Sequence, residues 1–173
     1  MGATQEELGL HGAANAGILL DADFCIGIDG TISEAGPQTN KGSGVGTSPN
    51  ITLAEVCSSV GNGVYLSIHD ITWGGLHGLF GNQRINEGLV KTAQKHGIKY
   101  EIEGNMPYIT SDPAGVQHTG IGGTPSVTLK IPIRYTHGPV EMCSLYDVIE
   151  TTKLLAKFIE DLDETFDLSF IDI

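Results

Sequence analysis

Apolar runs of strand length alternate with segments of helical period along this chain, and that alternation is what most limits its fold. Phe24-Cys25-Ile26-Gly27-Ile28-Asp29 is a short apolar run closing on an acid, the form of a buried strand in a parallel sheet. Residues 64–68, 98–102 and 126–131 read as further strands, the last stopped by Pro132. Residues 8–20 are Ala-rich and compatible with helix. Residues 85–96 place Ile85, Leu89, Val90 and Ala93 on a helical spacing, with Gly97 just past the end. The last helix has the clearest pattern. Ser144-x-x-Asp147 resembles a capping box with Asp replacing Glu. Val148, Thr152, Leu155, Ile159 and Leu162 then recur at steps of 4, 3, 4 and 3, giving one buried stripe. Phe166, Leu168 and Phe170 alternate after it, as an edge strand or a segment docked on the body would. Residues 30–50 and 72–81 are rich in turn-forming residues and read as loops. Strand and helix in alternation imply an α/β fold: a mainly parallel sheet flanked by helices.

The 173 residues, 40% of them hydrophobic, suffice for one globular domain with a sizeable core. The formal net charge of -12 repels phosphate backbones, and no Lys/Arg cluster offsets it, which argues against a nucleic-acid partner. No apolar run approaches the roughly 18 residues of a membrane span, and the start has no basic leader. The expectation is a cytoplasmic protein with no membrane partner. Met1-Gly2 is no myristoylation signal, because Glu6 stands where Ser or Thr is needed. Cys25, Cys57 and Cys143 include no Cys-x-x-Cys pair and are expected as small core residues.

Three places carry candidate chemistry. Thr4-Gln5-Glu6-Glu7-Leu8-Gly9-Leu10-His11-Gly12-Ala13 sets two adjacent carboxylates before a Gly/Ala helix. Ile28-Asp29-Gly30-Thr31 puts an acid at the end of an apolar strand. Ile131-Pro132-Ile133-Arg134-Tyr135-Thr136-His137-Gly138-Pro139-Val140-Glu141 puts an imidazole in the loop between a strand and a helix. Taken singly, Glu6 and Glu7 read as a solvated first helical turn, Asp29 as a turn or cap residue, and His137 as an ordinary loop histidine. Together they place carboxylates and an imidazole at strand ends, on the rim of a parallel sheet where ligands bind. Such donors suit Zn, Co or Mn. Two metals about 3.5–4 Å apart polarise a carbonyl and activate a water, and a neighbouring carboxylate that is not a ligand can serve as general base.

These three motifs, in this order, resemble the C-terminal signature of the M42 glutamyl aminopeptidases, dinuclear metallo-aminopeptidases of which some members carry endoglucanase labels. Thr110-Ser111-Asp112-Pro113-Ala114-Gly115 is similar to a further turn of that family. The resemblance implies a phosphorylase/hydrolase-like catalytic domain, a peptide substrate, and two divalent metals, Zn or Co foremost, in a complete site. It implies Glu6 as general base, Glu7 and His137 as ligands of one metal, Asp29 as ligand of the other, and Asp112 on the rim. Gly30 and Gly138 depart from the family pattern.

The same resemblance implies that residues 1–173 are the C-terminal part of the catalytic domain. The family's remaining ligands, a His and a bridging Asp, and the inserted domain that builds its oligomers lie upstream of the Gln-Glu-Glu motif. Weak or no activity of the chain alone is therefore expected, with self-association or a separate N-terminal half as partner. The alternatives are a non-catalytic remnant or half-site subunit, and a glycoside hydrolase, which also needs two carboxylates. Other histidines receive bland readings: His69 and His77 around Trp73 a structural or loop role, His118 a packing role, His11 and His96 the surface. No Gly-x-Ser-x-Gly elbow and no Gly-Lys-Ser/Thr loop is present.

Overall fold

A computed structural model describes residues 1–33, 58–71, 78–104, 106–107 and 110–168. Cys57, Trp73, His77, Phe170 and most of the loops read at 30–50 and 72–81 lie outside the described residues. The helices are α1 (His11–Leu20), α2 (Gln83–His96), α3 (Pro113–Val116) and α4 (Leu145–Asp161). The strands are β1 (Cys25–Ile32), β2 (Val64–Ser67), β3 (His69–Ile71), β4 (Gly78–Phe80), β5 (Tyr100–Glu103), β6 (Met106–Pro107), β7 (Ser126–Arg134) and β8 (Met142–Cys143).

The main sheet has the order β1-β7-β2-β5, with β8 also on β7. β1 runs parallel to β7 from Cys25↔Ser126 to Ile32↔Ile133, and β2 runs parallel to β5. The β2/β7 and β7/β8 ladders are antiparallel and shorter. The sheet is thus mixed, with parallel pairing predominant, and helices flank it. β3, β4 and β6 form a small second sheet, so residues 78–80, expected in a loop, are a strand.

Alternation along the strands gives the main sheet two unlike faces. Val64 and Leu66 of β2 and Val127 and Leu129 of β7 pack with Ile85, Leu89 and Ala93 of α2 and Leu154 and Phe158 of α4. The opposite face is polar and still buried: Thr31, Ser67, Glu103, Thr128 and Lys130. Burial there is tolerable because most of the groups are paired, Thr128 Oγ1 alone of these five side chains having no hydrogen-bond partner among the described residues. Lys130 Nζ meets Asp70 Oδ1 and lies 3.1 Å from Glu103 Oε2. Thr31 Oγ1 donates to Glu103 Oε1 at 2.5 Å, and Ser67 Oγ donates to Asp70 Oδ1 at 2.7 Å. α3 lies against this face at Gly27, where an added Cβ would come within 2.3 Å of Pro113.

Pro132 does not stop β7. Pro125 O and Ile133 O accept from Cys25 and Ser33 N–H, so odd-numbered residues of β7 bond to β1 and even-numbered ones face the other edge. On that edge β2 pairs up to Lys130 and β8 begins at Ile133. The missing N–H of Pro132 falls between the two neighbours, where no ladder bond is lost.

Two expectations for α4 are corrected. Ser144 caps the helix, its Oγ accepting from Tyr146 N–H at 3.2 Å, but Asp147 does not close a capping box. It is buried and accepts from Gly61 and Gly63 N–H at 2.7 and 2.8 Å. The buried stripe is Asp147, Glu150, Thr151, Leu154 and Phe158, one residue off the expected register, and Thr152 and Ile159 are exposed. α2 keeps Ile85, Leu89 and Ala93 inside, with Thr92 in place of Val90. Phe166 and Leu168 dock on the core, Phe166 edge-on to Phe158 at 5.6 Å. Of the cysteines, Cys25 is half-buried and Cys143 exposed, so neither is a core residue.

Candidate active site

The Glu-Glu turn is fixed by its own backbone. Glu6 O accepts from Gly9 N–H at 3.2 Å and Leu10 N–H at 3.0 Å, and Thr4 O accepts from Gly12 N–H at 3.0 Å. Gly12 lets α1 lie on this turn: an added Cβ would sit 2.5 Å from Thr4 N and O. Gly9 and Leu10 have φ of 111° and 59°, left-handed values that end the turn and start α1 at His11 rather than Leu8.

Asp29 stands within β1 and not at its end as expected, because the ladder with β7 continues to Ile32; its Oδ1 accepts from Gly30 N–H at 2.6 Å. Gly30 has a packing reason, since an added Cβ would come within 2.4 Å of Ile133 Cδ1. His137 sits in the tight loop after β7. Its φ is 60°, its N–H donates to Glu141 Oε1 at 2.7 Å, and Gly138 N–H closes the turn onto Tyr135 O at 2.9 Å. A Cβ on Gly138 would meet that carbonyl oxygen at 2.7 Å. The loop aims His137 across the cavity, so that Nε2 lies 2.7 Å from Glu7 Oε1.

Glu6, Glu7, Asp29 and His137 all line one cavity of about 590 Å³, together with Thr31, His118 and other residues. Asp112, N-terminal to α3, is not among the residues that line the cavity; its charge acts on Glu6, and its Oδ1 is buried without a hydrogen-bond partner among the described residues. Burial and neighbouring acids raise Glu6, Asp29 and Asp112. Burial, then Asp29, Glu7 and Asp112, push Glu6 up to about 7, against a smaller opposing effect of His137. Burial raises Asp29 above the usual carboxylate range, although Gly30 N–H, Ser111 and Lys130 favour its charged form. Asp112 is raised by burial and by Asp29. Crowded acids with an imidazole among them are the donor chemistry of a divalent-cation site.

The donor types fit a metal; their number does not complete a site. Glu7 and His137 form a two-donor pair and Asp29 a separate donor. Among the described residues no three His, Cys, Asp or Glu side chains converge closely enough to hold an ion. A catalytic zinc typically has three protein ligands.

Several site features were invisible in the letters. His118, expected to pack, is exposed and lines the cavity. Lys130 is the register partner of Asp29, and its two acids, Asp70 and Glu103, are 60 and 27 residues away in sequence, so only strand pairing could reveal the group. Glu141 belongs to the His137 motif in sequence, but its hold on the His137 backbone appears only in the turn geometry. His69 stacks on Phe80 with centroids 5.8 Å apart, a structural role. His11 and His96 are at the surface.

Comparison with known proteins agrees with this fold. The family model described as M42 glutamyl aminopeptidase matches residues 1–154. A lysyl aminopeptidase of Pyrococcus furiosus is 26% identical over 167 residues, 92% of this chain and 39% of that protein. The solved aminopeptidase of the archaeon Desulfurococcus kamchatkensis is 28% identical with a TM-score of 0.75, over 92% of this chain and 40% of that one. The TET aminopeptidase of a marine-sediment thaumarchaeote shares the fold, with a TM-score of 0.76 at 24% identity, over 94% of this chain and 39% of that one. The chain thus spans about 40% of the length of the relatives it matches. It belongs to the M42 glutamyl aminopeptidase family.

Proposed function

We propose that this chain supplies the general base and part of the ligand set of a metal-dependent aminopeptidase acting on peptide N-termini. The observation that carries the reading is the Glu7–His137 pair at 2.7 Å beside Glu6, whose pKa is raised to about 7, all on the wall of one cavity. Glu7 and His137 would hold one divalent cation, Zn, Co or Mn, and Asp29 would be a ligand of a second. Cations bound there supply Lewis acidity toward the scissile carbonyl. Glu6 takes a proton from the attacking water as its oxygen bonds to the carbonyl carbon, and returns that proton to the departing amine as the C–N bond breaks. A base near pH 7 suits both transfers. Asp112 would belong to the rim, from where its charge raises Glu6.

With three candidate ligands and no convergent trio among the described residues, the 173-residue chain alone is proposed to hydrolyse little. Aminoacyl anilides with added Co or Zn test this. The expected result is turnover near background for the isolated chain. Robust hydrolysis by the isolated chain would refute the proposed incompleteness. If hydrolysis is found and Glu6→Gln leaves it unchanged, the assignment of the base fails as well.

A further inference from the structure

His118 follows α3 and lines the same cavity as Glu6, Glu7 and Asp29. Its ring is oriented by its neighbour. Gln117 Nε2 lies 3.3 Å from His118 Nε2 and also donates to Gly78 O. An amide nitrogen carries two hydrogens and accepts nothing. Both hydrogens are thus engaged, His118 Nε2 is the acceptor, and the ring proton resides on Nδ1. Gln117 is itself anchored: its N–H donates to Pro113 O at 2.9 Å, and its carbonyl accepts from Thr124 N–H at 3.2 Å. No hydrogen bond engages His118 Nδ1 among the described residues.

The wall offers few other free side-chain donors: the hydroxyls of Thr110, whose Oγ1 is buried without a partner among the described residues, and Thr136. Glu6, Glu7, Asp29 and Glu141 are carboxylates, acceptors when ionised. Thr31 spends its hydroxyl hydrogen on Glu103, and His137 places Nε2 on Glu7. A peptide in this cavity brings backbone carbonyl oxygens, and leaving one desolvated without a donor is costly. We propose that His118 is a peptide-binding residue, which donates Nδ1–H to a backbone carbonyl oxygen of the bound substrate. The inference rests on the aminopeptidase reading and adds to it a residue outside the acid and imidazole set.

The test uses the full 173-residue chain labelled with 15N in its histidines. Long-range 1H–15N spectra at pH 7.5 report the tautomer of each imidazole. A tripeptide amide with a reduced, uncleavable first bond is then titrated in. The expected result is His118 in the Nδ1–H form, with its Nδ1 signal and the His137 signals both moved by the peptide. His118→Phe, a change at an exposed position, is expected to weaken binding about three- to ten-fold, the worth of one hydrogen bond. His118→Asn, which keeps a donor near Nδ1, is expected to restore much of it. An Nε2–H form, an unmoved His118 signal beside a moved His137, or equal affinity of His118→Phe overturns the inference and leaves the aminopeptidase reading standing. Signals of both histidines unmoved at saturating peptide concentration overturn the two together.

Discussion

At Lys130 the sheet holds an ammonium group whose side chain has no exposed surface, between two equally buried carboxylates. Burial pulls its pKa down, and Asp70 and Glu103 more than offset that, so it ends above the ordinary lysine value of 10.5. The charge therefore contributes stability that is fully present below pH 10.5 and is lost as pH rises through the higher folded value. Lys130→Met would leave two buried acids unpaired. The expected loss is about 3–5 kcal/mol in urea unfolding at pH 7; a loss below 1 kcal/mol would show that the pair is not held as described. Gly12 is a second sensitive residue. Gly12→Ala drives a methyl into the Thr4 backbone and is expected to cost about 1–3 kcal/mol. It should also displace Glu6 and Glu7, which a weakened uptake of Co or Zn would register. The acids of the site were legible as letters because adjacent carboxylates, an acid closing an apolar run and a loop histidine form an ordered set. Lys130 was not, because pairing across strands rather than spacing along the chain brings it opposite Asp29.

Among the elements, α4 shows how far periodicity reaches. Its span and its Ser144 cap follow from the sequence. Its buried face does not, because three of the five buried positions, Asp147, Glu150 and Thr151, are polar. Glu150 accepts from Lys99 N–H at 3.1 Å and Lys153 Nζ at 2.8 Å, and Thr151 Oγ1 donates to Asp147 O at 2.8 Å. An apolar-stripe count misses residues made inward by their hydrogen bonds, and it shifted the register by one position. Asp147 is expected to matter more than the cap. Asp147→Ala removes both bonds to the Gly61 and Gly63 N–H groups and should cost about 3 kcal/mol. Ser144→Ala should cost about 1 kcal/mol. Denaturant melts of the two variants rank them, and the reverse order would contradict this view of α4. The extension of β7 through Pro132 was hidden for a similar reason: the edge that would miss its N–H is the interval between β2 and β8.

For the whole molecule, the described residues leave apolar side chains exposed on β1 and on α1. Ile28 is 53% exposed, and Ile18, Leu19 and Leu20 of α1 are 66%, 83% and 68% exposed. β1 pairs with β7 alone among the described strands. An open edge beside apolar side chains favours association, so light scattering is expected to show a mass that rises with concentration; a constant monomer mass would contradict it. The fold class and the order of the main elements were readable from the alternation of strand and helix. The second sheet was not, because β3, β4 and β6 have two or three residues each, too few to show a period.

The claim on which the account turns is that Glu7 and His137 act together as cation ligands. Calorimetric titration of the 173-residue chain with Co or Zn tests it most directly. The expected outcome is weak uptake that disappears in both Glu7→Gln and His137→Ala. Uptake unchanged by either substitution, or none in the unaltered chain, would contradict it.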